Sequence, residues 1–197
     1  MEILTVNNLT KKYLTKTVLN NLNLTLTAGK IYGLLGPNAS GKTTLLKVLA
    51  GITQPSAGSF AVAGQVPSVK TKHLISYLPT INHLPRWMTV GQAVGYYRDF
   101  FPDFSQGLAE ERLAAMGLQP RQKIADLSTG MLGRLKIGLA MARQTKLYLL
   151  DEPFNGLDPI SREKVTEMIL ASAREDATMV IATHIIREIE SIMDEVL

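Results

Sequence analysis

The sequence contains no cysteine, which excludes a disulfide framework and a thiolate metal site and suits a reducing compartment. It also lacks any apolar run near the roughly 20 residues that cross a bilayer. The longest such run, around Leu147 to Leu150, suits a buried strand instead. The N-terminal stretch MEILTVNN has no charged segment leading into an apolar one, so no secretory signal is expected there. Basic residues do not gather into a stripe. A net charge of +4 is spread along the chain, without a recognisable nucleic-acid reader motif. Internal repeats and low-complexity linkers are missing as well.

What is present is core-forming material. At 197 residues, 46% hydrophobic and 19% charged, the chain fits one domain, with or without an inserted subdomain. Leu22, Leu24 and Leu26 alternate with polar residues at the period of a half-buried strand. KIYGLLG reads as a second strand running into a glycine-rich loop, and TTLLKVLAG as a helix that Gly51 ends. SFAVAG and LISYLP are further short strands. From Val90 to about Gln144 the pattern is helical. KLYLLDEP and TMVIATH are continuous β-forming apolar runs, the mark of parallel strands covered on both faces. Helical patterns follow them at Ser161–Ala173 and Ile185–Leu197. The fold class expected is therefore α/β with a mostly parallel sheet, and a small antiparallel β subdomain. Residues 1–80 and 145–197 form the expected core, and 81–144 an inserted helical subdomain.

GPNASGKTT spans Gly36, Pro37, Asn38, Ala39, Ser40, Gly41, Lys42, Thr43 and Thr44, and fits G-x-x-x-x-G-K-[ST]. Glycines let the backbone turn several N–H groups onto one anion, and the following helix adds its positive dipole end. Lys42 is expected to reach the β- and γ-phosphates, and the Thr43 hydroxyl to ligate Mg²⁺. LYLLDEP then places Asp151 and Glu152 at the C-terminal end of a buried strand, where open α/β sheets bind ligands. Neighbours on a strand face opposite sides, so the two carboxylates are given different work. Asp151 is assigned to the Mg²⁺ shell and Glu152 to polarising the attacking water. Together these elements describe a P-loop NTPase core that takes nucleotide phosphates and Mg²⁺.

With LSTGM at Leu127–Met131, the chain resembles the ATP-binding subunits of ATP-binding cassette (ABC) transporters, with the motifs in the family's order. The resemblance implies that Tyr13 stacks on adenine, and that His184, just after the last apolar strand, contacts the γ-phosphate. It implies that Ser128 and Gly130 bind the γ-phosphate of ATP held by a second ATP-binding subunit, and that Asp158 in NGLDP communicates across that dimer. Ser128 also reads as a helix N-cap, and Asp158 as a turn that caps the helix from Ser161. Thr129 and Met131 stand where the family usually has Gly and Gln. Thr80 occupies the position of a Gln that touches the metal and the membrane partner; its reach is shorter, and Asn82 is the residue that would compensate. Tyr96 and Phe100, like Tyr97 and Phe101, are spaced to stack along one helix. Half of this aromatic segment, with Trp87, is a candidate groove for a membrane subunit's helix.

The function expected from the resemblance is a dimeric ATPase on the cytoplasmic face of the cell membrane. It would be held there by an integral membrane partner, with no nucleic-acid partner. Two alternatives stand beside it: a soluble ABC-type ATPase acting on nucleic acid or ribosomes, and an ATP-binding subunit with degenerate hydrolysis. The chain ends soon after His184, where members of the family continue with at least another strand, so a truncated C-terminus is an expectation too.

Overall fold

The computed structural model describes residues 1–197, apart from the side chain of Lys70. The chain divides into two compact units. The first comprises Met1–Tyr77, Thr145–Asp151 and Ala173–Leu197, the second Leu78–Gln144 and Glu152–Ser172.

The first unit holds two sheets. Strands β1 (Glu2–Tyr13), β2 (Lys16–Thr27) and β4 (Ala57–Val62) form an antiparallel sheet in the order β2-β1-β4. The second sheet is built from β3 (Ile31–Leu35), β5 (Ile75–Leu78), β6 (Leu147–Asp151), β7 (Thr178–Thr183) and β8 (Glu195–Val196), in the order β5-β6-β7-β3-β8. Strands β6 and β7 are buried at every position, which explains why they read as continuous apolar runs rather than alternating ones. Helix α1 (Lys42–Leu49) contributes Leu45, Leu46, Val48 and Leu49 to a core shared with Leu4, Phe60, Leu149 and Val180.

Parallel register brings the strand ends of this second sheet level. Leu35 lies opposite Thr183, and Asp151 opposite Ala182. The segments that leave β3, β6 and β7 therefore emerge along one edge, the edge where open α/β sheets place their ligands.

The helix expected over Ile185–Leu197 does not form. A 3₁₀ turn at Ile186–Glu188 is followed by β8, which pairs in parallel with β3. The backbone of β3 offers that segment a ladder: Asp194 N–H donates to the Ile31 carbonyl, and Leu197 N–H to the Gly33 carbonyl. The Asp194 carboxylate accepts from Ile31 N–H at 2.8 Å, which competes with local helix formation. Gly33 makes room for this. A Cβ there would lie 2.8 Å from Met193 Sδ and 2.9 Å from Ile189 Cδ1.

The second unit is helical: α2 (Val90–Phe100), α3 (Gln106–Ala115), α4 (Thr129–Met141) and α5 (Pro159–Ser172). Thr89 caps α2 in a reciprocal box with Gln92, and Ser105 caps α3 by accepting from Leu108 N–H. Its core includes Leu84, Val94, Tyr97, Leu113, Leu135 and Leu139. The expected aromatic stacking is present, with ring centroids 4.5 Å apart for Tyr96–Phe100 and 5.1 Å for Tyr97–Phe101. Tyr97 faces the core, whereas Tyr96 and Phe100 are exposed. Among the described residues, no helix is long and apolar enough to cross a membrane.

Candidate functional site

The glycine-rich loop leaves β3 at Leu35 and enters α1 at Lys42. Its turn depends on left-handed backbone at two places, Ala39 with φ 64° and Gly41 with φ 105°. At Gly41 a side chain would also be crowded, with a Cβ 3.2 Å from the Val18 carbonyl oxygen. A Cβ at Gly36 would lie 2.9 Å from Ser40 Oγ. A side chain at either glycine would collide, at Gly36 with the loop's own Ser40 and at Gly41 with β2.

Lys42 is 8% exposed, and its ammonium turns back to donate to the carbonyls of Gly36 at 2.7 Å and Pro37 at 3.1 Å. These bonds offset the cost of burying the charge and hold it inside the loop. Thr43 Oγ1 donates to Asp151 Oδ1 at 3.0 Å, and Asp151 is 1% exposed. A hydroxyl and a carboxylate, both hard oxygen donors, stand side by side at the start of a helix that follows a phosphate-type loop. That set fits Mg²⁺, which takes few protein oxygens and fills its shell with phosphate oxygens and waters. In keeping with so sparse a donor set, no cluster of three or more His, Asp or Glu ligands occurs among the described residues.

Asp151 and Glu152 are not placed on opposite faces by the strand pleat, as expected from the sequence. Strand β6 ends at Asp151, and Glu152 has a left-handed backbone with φ 51°. Its direction is therefore set by a turn rather than by the pleat. A non-glycine residue in this region is uncommon and carries backbone strain. His184 follows β7 and is exposed. Ile185 N–H donates to Thr183 Oγ1, which in turn donates to Glu188 Oε2, so the strand is closed off immediately before the histidine. Tyr13 ends β1 with 45% of its surface exposed, and Lys11 Nζ stands 4.8 Å over its ring. Tyr77, which carries no motif in the sequence, lies within the influence of Asp151. Its hydroxyl is buried without a hydrogen bond, and burial together with the Asp151 charge pushes its pKa up.

In the second unit, Ser128 is the N-cap of α4, accepting from Met131 N–H at 3.2 Å. It is exposed, and the helix N-terminus beside it is an anion-favouring end. The Asn155–Asp158 loop packs against this terminus. A Cβ on Gly130 would lie 3.2 Å from the Gly156 carbonyl oxygen, and one on Gly156 would lie 3.1 Å from Thr129 Cγ2. Thr129 thus contributes its methyl group to the contact. Asp158 takes the capping part foreseen for it: Oδ1 accepts from Ser161 N–H at 3.0 Å, and Oδ2 from Ser161 Oγ at 2.5 Å. These bonds from Ser161 hold its pKa below the usual carboxylate range.

Thr80 is exposed, and its carbonyl accepts from Lys136 Nζ at 2.7 Å. Asn82, the residue expected to compensate for Thr80, turns its side chain to its own loop. Its amide is closed onto Leu84, donating to the carbonyl at 3.0 Å and accepting from the N–H at 2.9 Å. His83 Nε2 lies 2.8 Å from the Tyr97 hydroxyl.

Comparison with known proteins places these motifs in a common frame. The family model described as ABC transporter matches residues 19–155. The Nod factor export ATP-binding protein I of Burkholderia lata is 33% identical over 195 residues, covering 95% of this chain and 64% of that protein. The lantibiotic transport ATP-binding protein SrtF of Streptococcus pyogenes is 31% identical, covering 98% of this chain and 84% of that protein. The bacitracin transport ATP-binding protein BcrA of Enterococcus faecalis is 33% identical and again has 64% of its length covered. The chain therefore spans less than two thirds of the Nod factor and bacitracin proteins. An ATP-binding subunit of an ABC transporter superposes with a TM-score of 0.87 at 24% identity, covering 99% of this chain and 85% of that one. A dimeric ATP-binding cassette bound to ADP and Pi superposes with a TM-score of 0.84 at 22% identity, covering 94% and 90%. At these identities the two structures speak for the fold.

Proposed function

The chain belongs to the ABC transporter family, and from that premise we propose that it is an ATPase subunit that pairs with a second ATP-binding subunit. In this role it drives a separate membrane-spanning partner from the cytoplasmic face. The observation that carries this reading is the Thr43–Asp151 hydrogen bond beside the loop-wrapped Lys42. Loop, hydroxyl and carboxylate are the parts that a nucleotide triphosphate requires.

Backbone N–H groups of residues 38–44 bind the phosphate chain, and Lys42 exchanges its loop carbonyls for β- and γ-phosphate oxygens. Thr43 and Asp151 would hold Mg²⁺, which when bound neutralises charge on the β- and γ-phosphates. Glu152 orients water for in-line attack and accepts its proton, and His184 stabilises the γ-phosphate as charge develops. Tyr13 presents an aromatic face to adenine. Ser128 and Gly130 of one subunit close over the γ-phosphate of ATP bound to its partner, with Asp158 shaping the adjoining loop. The names of the relatives support a transport role, and that of the Nod factor protein supports export.

Steady-state hydrolysis measured against protein concentration tests this. A shared site gives a rate that rises more steeply than linearly, whereas a constant rate per monomer would overturn it.

A further inference from the structure

Lys136 is a buried cation that the reaction outlined above does not use. It sits within α4, 8% exposed, in the otherwise apolar run Leu135–Met141. Burying an ammonium costs several kcal/mol unless hydrogen bonds replace its water. Here Nζ donates to two successive main-chain carbonyls, Thr80 at 2.7 Å and Ile81 at 3.1 Å. Two consecutive carbonyls reach one ammonium only when the peptide planes between them adopt a particular turn, so the bond pair selects one conformation of the loop.

The rest of that loop is pinned nearby. Asn82 closes onto Leu84, whose side chain is buried in the helical core. His83 meets the hydroxyl of Tyr97 on α2. Burial of the ring, and after it the Lys136 charge, lowers the pKa of His83 to about 4, which keeps the imidazole neutral near neutral pH. Ser128 caps the same rigid helix that carries Lys136, eight residues earlier, or about 12 Å along the axis.

We infer that Lys136 is a positioning residue that fastens the Thr80–Leu84 loop to helix α4, so that the loop and the Ser128 end of that helix move as one body. This rests on the reading of Ser128 as a nucleotide-contacting group. The fastening comes from the helix side. It acts on main-chain carbonyls, and so does not need the long side chain that Thr80 lacks.

Hydrogen–deuterium exchange on the intact chain tests the inference in two arms, using Lys136→Met, which keeps the bulk and removes the ammonium, and Lys136→Arg, which keeps a donor. Without nucleotide, the segment 80–84 should exchange at least about tenfold faster in Lys136→Met, on the scale of losing charge-assisted hydrogen bonds, and recover in Lys136→Arg. With saturating MgATP, wild type should show protection of both 80–84 and 128–134. Lys136→Met should keep protection at 128–134 and lose it at 80–84. An unchanged 80–84 segment in nucleotide-free Lys136→Met would overturn the anchor. Equal MgATP protection of 80–84 in that variant, or wild-type protection at 128–134 alone, would overturn the relay. Absence of protection at residues 36–44 on adding MgATP would instead count against the proposed function, and the nucleotide-free arm would still decide the anchor.

Discussion

Thr43 and Asp151 are 108 residues apart in sequence and joined by a hydrogen bond of 3.0 Å. The bond ties the first turn of α1 to the end of β6 and sets a hydroxyl beside a carboxylate. Asp151 is almost wholly buried, so water screens its charge little.

Asp151→Asn keeps the shape of the side chain and removes its charge. ATP should then lose most of the affinity that Mg²⁺ adds, by about tenfold or more, the scale of a charge-assisted contact. Its affinity in EDTA should stay near that of wild type. Titration of a fluorescent ATP analogue with and without Mg²⁺ reads both values. An undiminished Mg²⁺ advantage in the variant would remove Asp151 from the metal shell.

Glu152→Gln keeps the side-chain volume and removes the carboxylate proposed as the base. Turnover should fall by about 10²–10⁴, the usual contribution of a positioned general base. Nucleotide binding should persist, so the variant should accumulate as an ATP-dependent dimer on size exclusion. Turnover within threefold of wild type would assign the base elsewhere.

How much of this was legible in the sequence varied with the type of feature. The loop and β6 were legible because glycine placement and a continuous apolar run each have one structural meaning in an α/β sheet. The direction of Glu152 was not legible because β6 ends one residue earlier, and strand ends are the least determined part of a pattern. The C-terminal segment misled in another way. The spacing of Ile189 and Ile192 suits a helix face, yet both side chains are buried while the backbone just beyond pairs with β3. A free strand edge is a tertiary fact that no local pattern encodes. Lys136 left only a faint signal, a lysine inside an apolar helical run, and the carbonyls it reaches lie more than 50 residues earlier.

Ser128→Arg places a bulky cation at the cap of α4. The monomer should still bind nucleotide at residues 36–44, because Ser128 serves a partner's ATP in the proposed arrangement. Turnover should drop to the level of the Glu152→Gln variant, and mixing with wild type should lower activity below simple dilution. A Ser128→Arg protein with wild-type turnover at every concentration would refute the shared site.

His83 makes stability pH-dependent with a definite sign. Its folded pKa is lowered to about 4, first by burial and then by the Lys136 charge, from an unfolded value near 6.5. Between those values the unfolded chain holds the extra proton, so stability falls as pH drops from about 6.5 to about 4 and is unaffected above. Urea unfolding at pH 7 and pH 5 should therefore show a larger acid loss in wild type than in His83→Asn. Equal losses would mean that the imidazole titrates normally in the folded state.

Arg143 and Asp103 supply the strongest test of the helical unit's stability. Arg143 donates to Asp103 twice, at 2.9 Å from both Nε and Nη2, and the pair is largely buried. The guanidinium also lies 4.2 Å over the Phe101 ring. Removing one partner leaves a buried charge without its counter-ion, whereas removing both does not. Arg143→Met should cost about 3–5 kcal/mol in urea unfolding, followed through Trp87, the only tryptophan, which lies in the same unit. Adding Asp103→Leu to Arg143→Met should restore a large part of that loss, because apolar side chains then replace both ions. A double variant no more stable than Arg143→Met would mean that the ring contact and packing around Arg143 outweigh the ion pair.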